Sequence, residues 1–161
     1  MTNGCMLFLR GVNLNPAQSP EDMVSIRLFI NKNIVITTRK RRLLSVQDVL
    51  ASLIAKTGPC SISELVCQLT HNLTSRMQGV IDNLDDNLDE FEDEIDEPTK
   101  RFDNQGLSQL RRQTIGLKRY LKPQKEALST LMANRYNWLE ENDKAKLNET
   151  TNLLIRFIEE L

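Results

Sequence analysis

The sequence predicts an α+β fold, with a small β region followed by a long antiparallel helical hairpin and one further helix. Three observations carry that reading. Residues 5–42 hold short β-branched and apolar runs parted by Asn, Gly and Pro. Beyond residue 42 the apolar spacing becomes helical. Two stripes then step 3, 4, 3, 4 on either side of the segment Pro98 to Gly106. Composition agrees: 161 residues, 40% hydrophobic and 27% charged, with only 5% aromatic. These values exclude global disorder, collagen and a disulfide scaffold. The net charge of -1 gives no global pull toward nucleic acid or anionic membrane.

The elements follow in order. Cys5–Leu9 is apolar on both faces and stops at Gly11, Asn13, Asn15 and Pro16, which suits a strand buried on both sides. Val24–Ile30 and Ile34–Thr38 flank Asn31-Lys32-Asn33 and form a hairpin, so residues 5–41 supply the strands. Ser45 with Asp48 resembles a capping box opening a short helix over 45–57, closed by Gly58-Pro59. Ser61 with Glu64 is a second box. No proline follows until Pro98, and the stripe Val66, Leu69, Leu73, Met77, Ile81, Leu84, Leu88, Phe91, Ile95 predicts one helix over 62–97. At 1.5 Å per residue it would be roughly 54 Å long.

After a turn at Pro98 to Gly106, the second stripe is Leu107, Leu110, Thr114, Leu117, Leu121, Gln124, Leu128, Leu131. The two stripes make a helical hairpin over 62–136, kinked at Pro123, where a backbone donor is missing. A third helix over 142–161 carries Leu147, Thr150, Leu154, Phe157 and Leu161. It is in register at the last residue, and the first strand starts almost at residue 1, so the sequence reads as a piece of a longer chain. Cys5, Cys60 and Cys67 are odd in number and irregular in spacing, which points to free thiols in a reducing compartment. With no apolar run near the roughly 20 residues needed to cross a bilayer and no leader pattern, the piece reads as soluble.

Chemistry concentrates in few places. From Asp82 to Glu97 there are ten acids and no base. Within this run Asp89, Glu92, Asp93 and Asp96 sit near the hairpin tip and offer carboxylates to a divalent cation. The plain alternative is a solvated face, although like charges at i,i+4 cost a helix a few tenths of a kcal/mol per pair. Arg111, Arg112, Lys118, Arg119, Lys122 and Lys125 on the returning helix read as partners for the preceding helix. Glu64, Cys67 and His71 are spaced 3 and 4, on a face opposite Val66, Leu69 and Leu73, and have the side-chain types that bind zinc. Arg39-Lys40-Arg41-Arg42 lacks interleaved aromatics and reads as a solvated strand end, not a nucleic-acid surface. One histidine, no serine elbow and no phosphate-cradling glycine loop leave no basis for an enzyme.

Several stretches together resemble zinc transporters of the CorA family of metal-ion transporters: RGVNLNP (Arg10–Pro16), PEDMVSIRLFI (Pro20–Ile30), TTRKRRLLSVQDV (Thr37–Val49), LRRQTIGLKRYLKPQKEAL (Leu110–Leu128) and Trp138-Leu139. The resemblance implies that residues 5–41 are later strands of a cytoplasmic α/β/α domain, and that 142–161 begins a stalk helix. It implies a homopentamer, divalent metal ions such as zinc as transported or weakly bound regulatory partners, and membrane attachment through C-terminal helices beyond this sequence. The family's Gly-Met-Asn type pore signature and both membrane helices are absent, so no transport residue carries over. The function expected is therefore a cytoplasmic regulatory or assembly domain without its pore. A soluble helical-hairpin interaction scaffold with no ion role is the alternative.

Overall fold

The computed structural model describes residues 4–96 and 104–161. Three antiparallel strands, β1 (Cys5–Gly11), β2 (Val24–Ile30) and β3 (Val35–Arg39), form a sheet in the order β1-β2-β3. The β2–β3 connection is the expected Asn-rich turn. Asn31 Oδ1 accepts from the backbone N–H of Asn33 and Ile34, which fixes the register Ile30 opposite Val35. Among the described residues five helices follow: α1 (Leu44–Ile54), α2 (Ile62–Ser75), α3 (Gln78–Asp96), α4 (Asn104–Ala133) and α5 (Glu141–Glu160). The α+β class is as the sequence predicts. Most of the expected turn from Pro98 to Gly106 lies outside the described residues, but its last three positions, Asn104 to Gly106, already belong to α4.

One sheet face is core. Leu9, Ile26, Leu28 and Ile30 are fully buried, and β1 rests on α2 and α4. The contact with α2 is close: a Cβ on Gly11 would lie 2.7 Å from the Leu73 side chain. The other face is open among the described residues. Met6 is 57% and Phe8 55% exposed, with Phe29, Ile34 and Ile36 beside them. This corrects the reading of β1 as buried on both sides, because no described element covers that face.

The helices differ from expectation in three ways. The single helix expected over 62–97 is interrupted at Arg76–Met77. There Met77 N–H bonds the Thr74 carbonyl three residues back, and Val80 and Ile81 both bond the Met77 carbonyl. The break lets Arg76 grip Asp48 of α1 through two guanidinium nitrogens while Met77 enters the core. Second, Ser45 caps nothing. Leu43 is the α1 N-cap, and the Ser45 hydroxyl donates to the Asn72 carbonyl of α2. At its other end α1 stops before Gly58, with Lys56 at φ 59 and N–H groups of Lys56 and Thr57 returned to Leu53 and Ser52. Third, α2 and α4 are not each other's main partners. Helix α5 packs along both and also meets α3, burying Leu147, Leu154 and Phe157 completely. Helix α4 pairs with α3 at one end and with α5 and β1 over the rest, and it runs unbroken through Pro123.

Candidate functional site

Ser61 caps the start of α2 as expected, while Glu64 reaches one residue past the cap, to Cys60. Ser61 Oγ accepts from the Glu64 N–H at 3.1 Å, and Glu64 Oε2 accepts from the Cys60 N–H at 2.7 Å. Between α2 and α5 lies a cavity of about 530 Å³. Glu64, Cys67 and His71 all line it, as their spacing predicts, with Lys146 and Glu149 of α5 opposite. The three nevertheless have separate tasks. Glu64 is engaged as a cap. Cys67 is 4% exposed and its Sγ donates to the Asp143 carbonyl at 3.3 Å. His71 Nε2 lies 3.2 Å from Ser75 Oγ at the surface.

Burial, then the Asp143 charge, pushes the Cys67 thiol up to about 12, against the smaller opposing pull of Lys146. Zinc binds the thiolate, so the raised thiol makes Cys67 a weaker ligand than an exposed cysteine. Among the described residues no group of three or more His, Cys, Asp or Glu side chains is placed to hold a metal. The helical wheel places Cys67 away from the sheet, but α5 covers that second face.

Sequence reasoning missed Asp143, whose signal was an Asp followed three residues later by Lys146 in a first helical turn. Asp143 is buried, and one carboxylate oxygen accepts from Lys146 Nζ at 2.8 Å. Burial alone would raise its pKa. The Lys146 hydrogen bond and charge, with the nearby Ser63 hydroxyl, outweigh burial and lower it. Ser63 Oγ also accepts from the Glu140 N–H at 3.1 Å, so this polar group ties the start of α5 to α2.

The acidic run forms the outer surface of α3. Asp85, Asp86, Asp89, Glu90, Glu92 and Asp93 are exposed, while Ile81 and Leu84 face inward. Asp82 takes a hydrogen bond from Gln78. Asp96 lies in the last turn of α3. Among the described residues no ion pair joins an acid of α3 to a base of α4, contrary to the expected cross-helix pairing: Lys125 meets its neighbour Glu126 instead. The described carboxylates from Asp85 to Asp93 therefore stand as a negative surface with no ion pair among the described residues.

Three antiparallel strands backed by long helices, one of them strongly acidic, define an α+β domain. Comparison with known proteins settles the family. The family described as "CorA-like Mg2+ transporter protein" matches residues 1–161, and the chain belongs to it. The divalent cation transporter CmaX of Pseudomonas aeruginosa is 44% identical over 157 residues, covering 97% of this chain and 47% of that protein. The zinc transport protein ZntB of Yersinia enterocolitica is 31% identical over 159 residues, covering 99% and 48%. Among solved structures, the ZntB cytoplasmic domain from Vibrio parahaemolyticus superposes with a TM-score of 0.85 at 26% identity, covering 98% of this chain and 62% of that one. The chain thus spans about half the length of the curated relatives it matches. Among the described residues no helix is long and apolar enough to cross a membrane.

Proposed function

We propose that this chain is the cytoplasmic regulatory and assembly domain of a CorA-like divalent-cation transporter, with zinc as the cation. The observation that carries the reading is the family match over residues 1–161. The zinc assignment is supported by the likeness to ZntB, and a pentameric assembly by membership of the family. The domain's own contribution is electrostatic. The exposed carboxylates of α3 concentrate divalent cations by their field. Asp89, Glu92, Asp93 and Asp96 bind such ions weakly when the helix is held in place, which relieves their mutual repulsion and favours one arrangement of the assembly over another.

Reconstituting the whole gene product in vesicles and following zinc and magnesium entry tests this. Zinc should enter, and Asp89→Asn, Glu92→Gln, Asp93→Asn and Asp96→Asn together should change how flux depends on cation concentration. Vesicles that take up neither ion would refute the transport reading.

A further inference from the structure

Away from α3 the chain carries the opposite charge in a concave setting. A recess of about 520 Å³ opens at the end of the sheet where β1 finishes, β2 begins and β3 finishes. Arg10, Arg27, Arg39, Lys40 and Arg41 line it, and Asp22 is the one acid among its lining residues. None of these five bases forms an ion pair within the described residues. In a chain of net charge -1 such a concentration requires an account.

The register builds the recess. Arg10 stands opposite Ser25, and Arg27 opposite Thr38, so two guanidinium groups and two hydroxyls share one sheet face. Arg10 is held in place from three sides. Its guanidinium lies 4.1 Å from the centre of the Tyr120 ring, one of its nitrogens donates to the Met23 carbonyl, and its backbone N–H donates to Gln124 Oε1 at 2.7 Å. Arg41 is steadied by Gln18. The sequence showed only the run at 39–42, of which Arg39, Lys40 and Arg41 line the recess, because Arg10 and Arg27 join it through strand pairing.

We propose that this recess is a binding site for a ligand carrying clustered phosphate groups. Guanidinium forks match phosphate oxygens two at a time, and Arg is the residue suited to that planar pairing. Ser25 and Thr38 add neutral donors. The volume falls within the range of small-molecule sites. A polyanion there removes the repulsion among five like charges, so binding stabilises the folded chain. The site is independent of the transport reading, since it uses neither α3 nor the family match.

Calorimetric titration with sodium tripolyphosphate at physiological salt tests the proposal. The wild-type chain should show saturable one-site binding. Arg27→Gln with Arg39→Gln should weaken it at least tenfold, about 1.4 kcal/mol. Lys32→Gln with Arg112→Gln removes the same charge elsewhere and should leave affinity unchanged, and circular dichroism melts confirm that both pairs fold. A parallel sedimentation arm uses phosphatidylcholine vesicles with and without phosphatidic acid. Tripolyphosphate binding without vesicle binding assigns a free polyphosphate. Binding to phosphatidic acid vesicles that is lost in the Arg27 and Arg39 pair assigns a lipid headgroup. Absence of both, equal losses in the two variant pairs, or binding of poly-uridine RNA alone would overturn the proposal.

Discussion

Leu154→Ala tests whether α5 organises the helical layer. Leu154 is fully buried on a helix that packs along both α2 and α4. Truncation to Ala removes three carbon atoms from a site walled on two sides, which leaves little freedom to collapse. Leu-to-Ala changes in cores cost about 2–5 kcal/mol, with well-supported cavities at the upper end. We therefore expect a loss of about 3–5 kcal/mol. For a domain of this size each kcal/mol moves Tm by about 2–4 °C, so the shift should be about 10 °C. Urea denaturation followed by far-ultraviolet circular dichroism gives the free energy directly, with an unchanged slope showing that the unfolded state is unaltered. Leu50→Ala is the control, since Leu50 is 56% exposed on α1. It should cost no more than about 0.5 kcal/mol. Equal losses at the two positions would refute the placing of α5.

Other expectations concern single groups. Asp143 has a lowered pKa when folded, so its contribution is present above the ordinary carboxylate value near 4 and is lost as pH falls through the lower folded value. Asp143→Asn should flatten the pH dependence of Tm below about pH 4, and an unchanged acid limb would contradict the assignment. Lys56→Gly should stabilise the chain by about 0.5–1 kcal/mol, because Lys56 ends α1 at a φ of 59 that glycine adopts without strain. A lower Tm in this variant would count against that account. Cys67 is buried with its thiol pushed up to about 12, and Glu64 is engaged as a cap, so zinc titration should give equal heats for the wild-type chain and His71→Ala. A heat lost on removing His71 would support the three-residue zinc site instead.

Much of the fold was legible in the sequence because apolar periodicity reports which face of an element is buried. The stripes on α4 and α5 name the residues that are buried, from Leu110 to Leu131 and from Leu147 to Phe157. Periodicity does not report which element does the burying. The stripe on α4 fits α2 and α5 equally well, and only the structure shows α5 as its main neighbour. The same limit explains Cys67, which faces away from the sheet, off the stripe of Val66, Leu69 and Leu73, and is buried under α5. At Ser45 local capping competed with a tertiary acceptor, the Asn72 carbonyl, and the tertiary bond prevailed. In β1 both faces are apolar, so alternation was hidden and the open face with Met6 and Phe8 could not be told from the core face. The acidic surface was readable in full as far as Asp93, since a run without bases on an amphipathic helix has only solvent or cations to face.

Whether that surface binds divalent cations is measured by melting the chain under matched ionic strength. The chain is melted at neutral pH in millimolar magnesium or zinc, and in sodium chloride of equal ionic strength. Cations that bind the folded α3 surface raise Tm by mass action, whereas screening depends on ionic strength alone. We predict a higher Tm in the divalent salt. Replacing Asp89, Glu92, Asp93 and Asp96 by Asn or Gln should raise Tm in sodium chloride and remove most of the divalent effect. Coincident melts in the two salts would contradict the claim and leave α3 a solvated face.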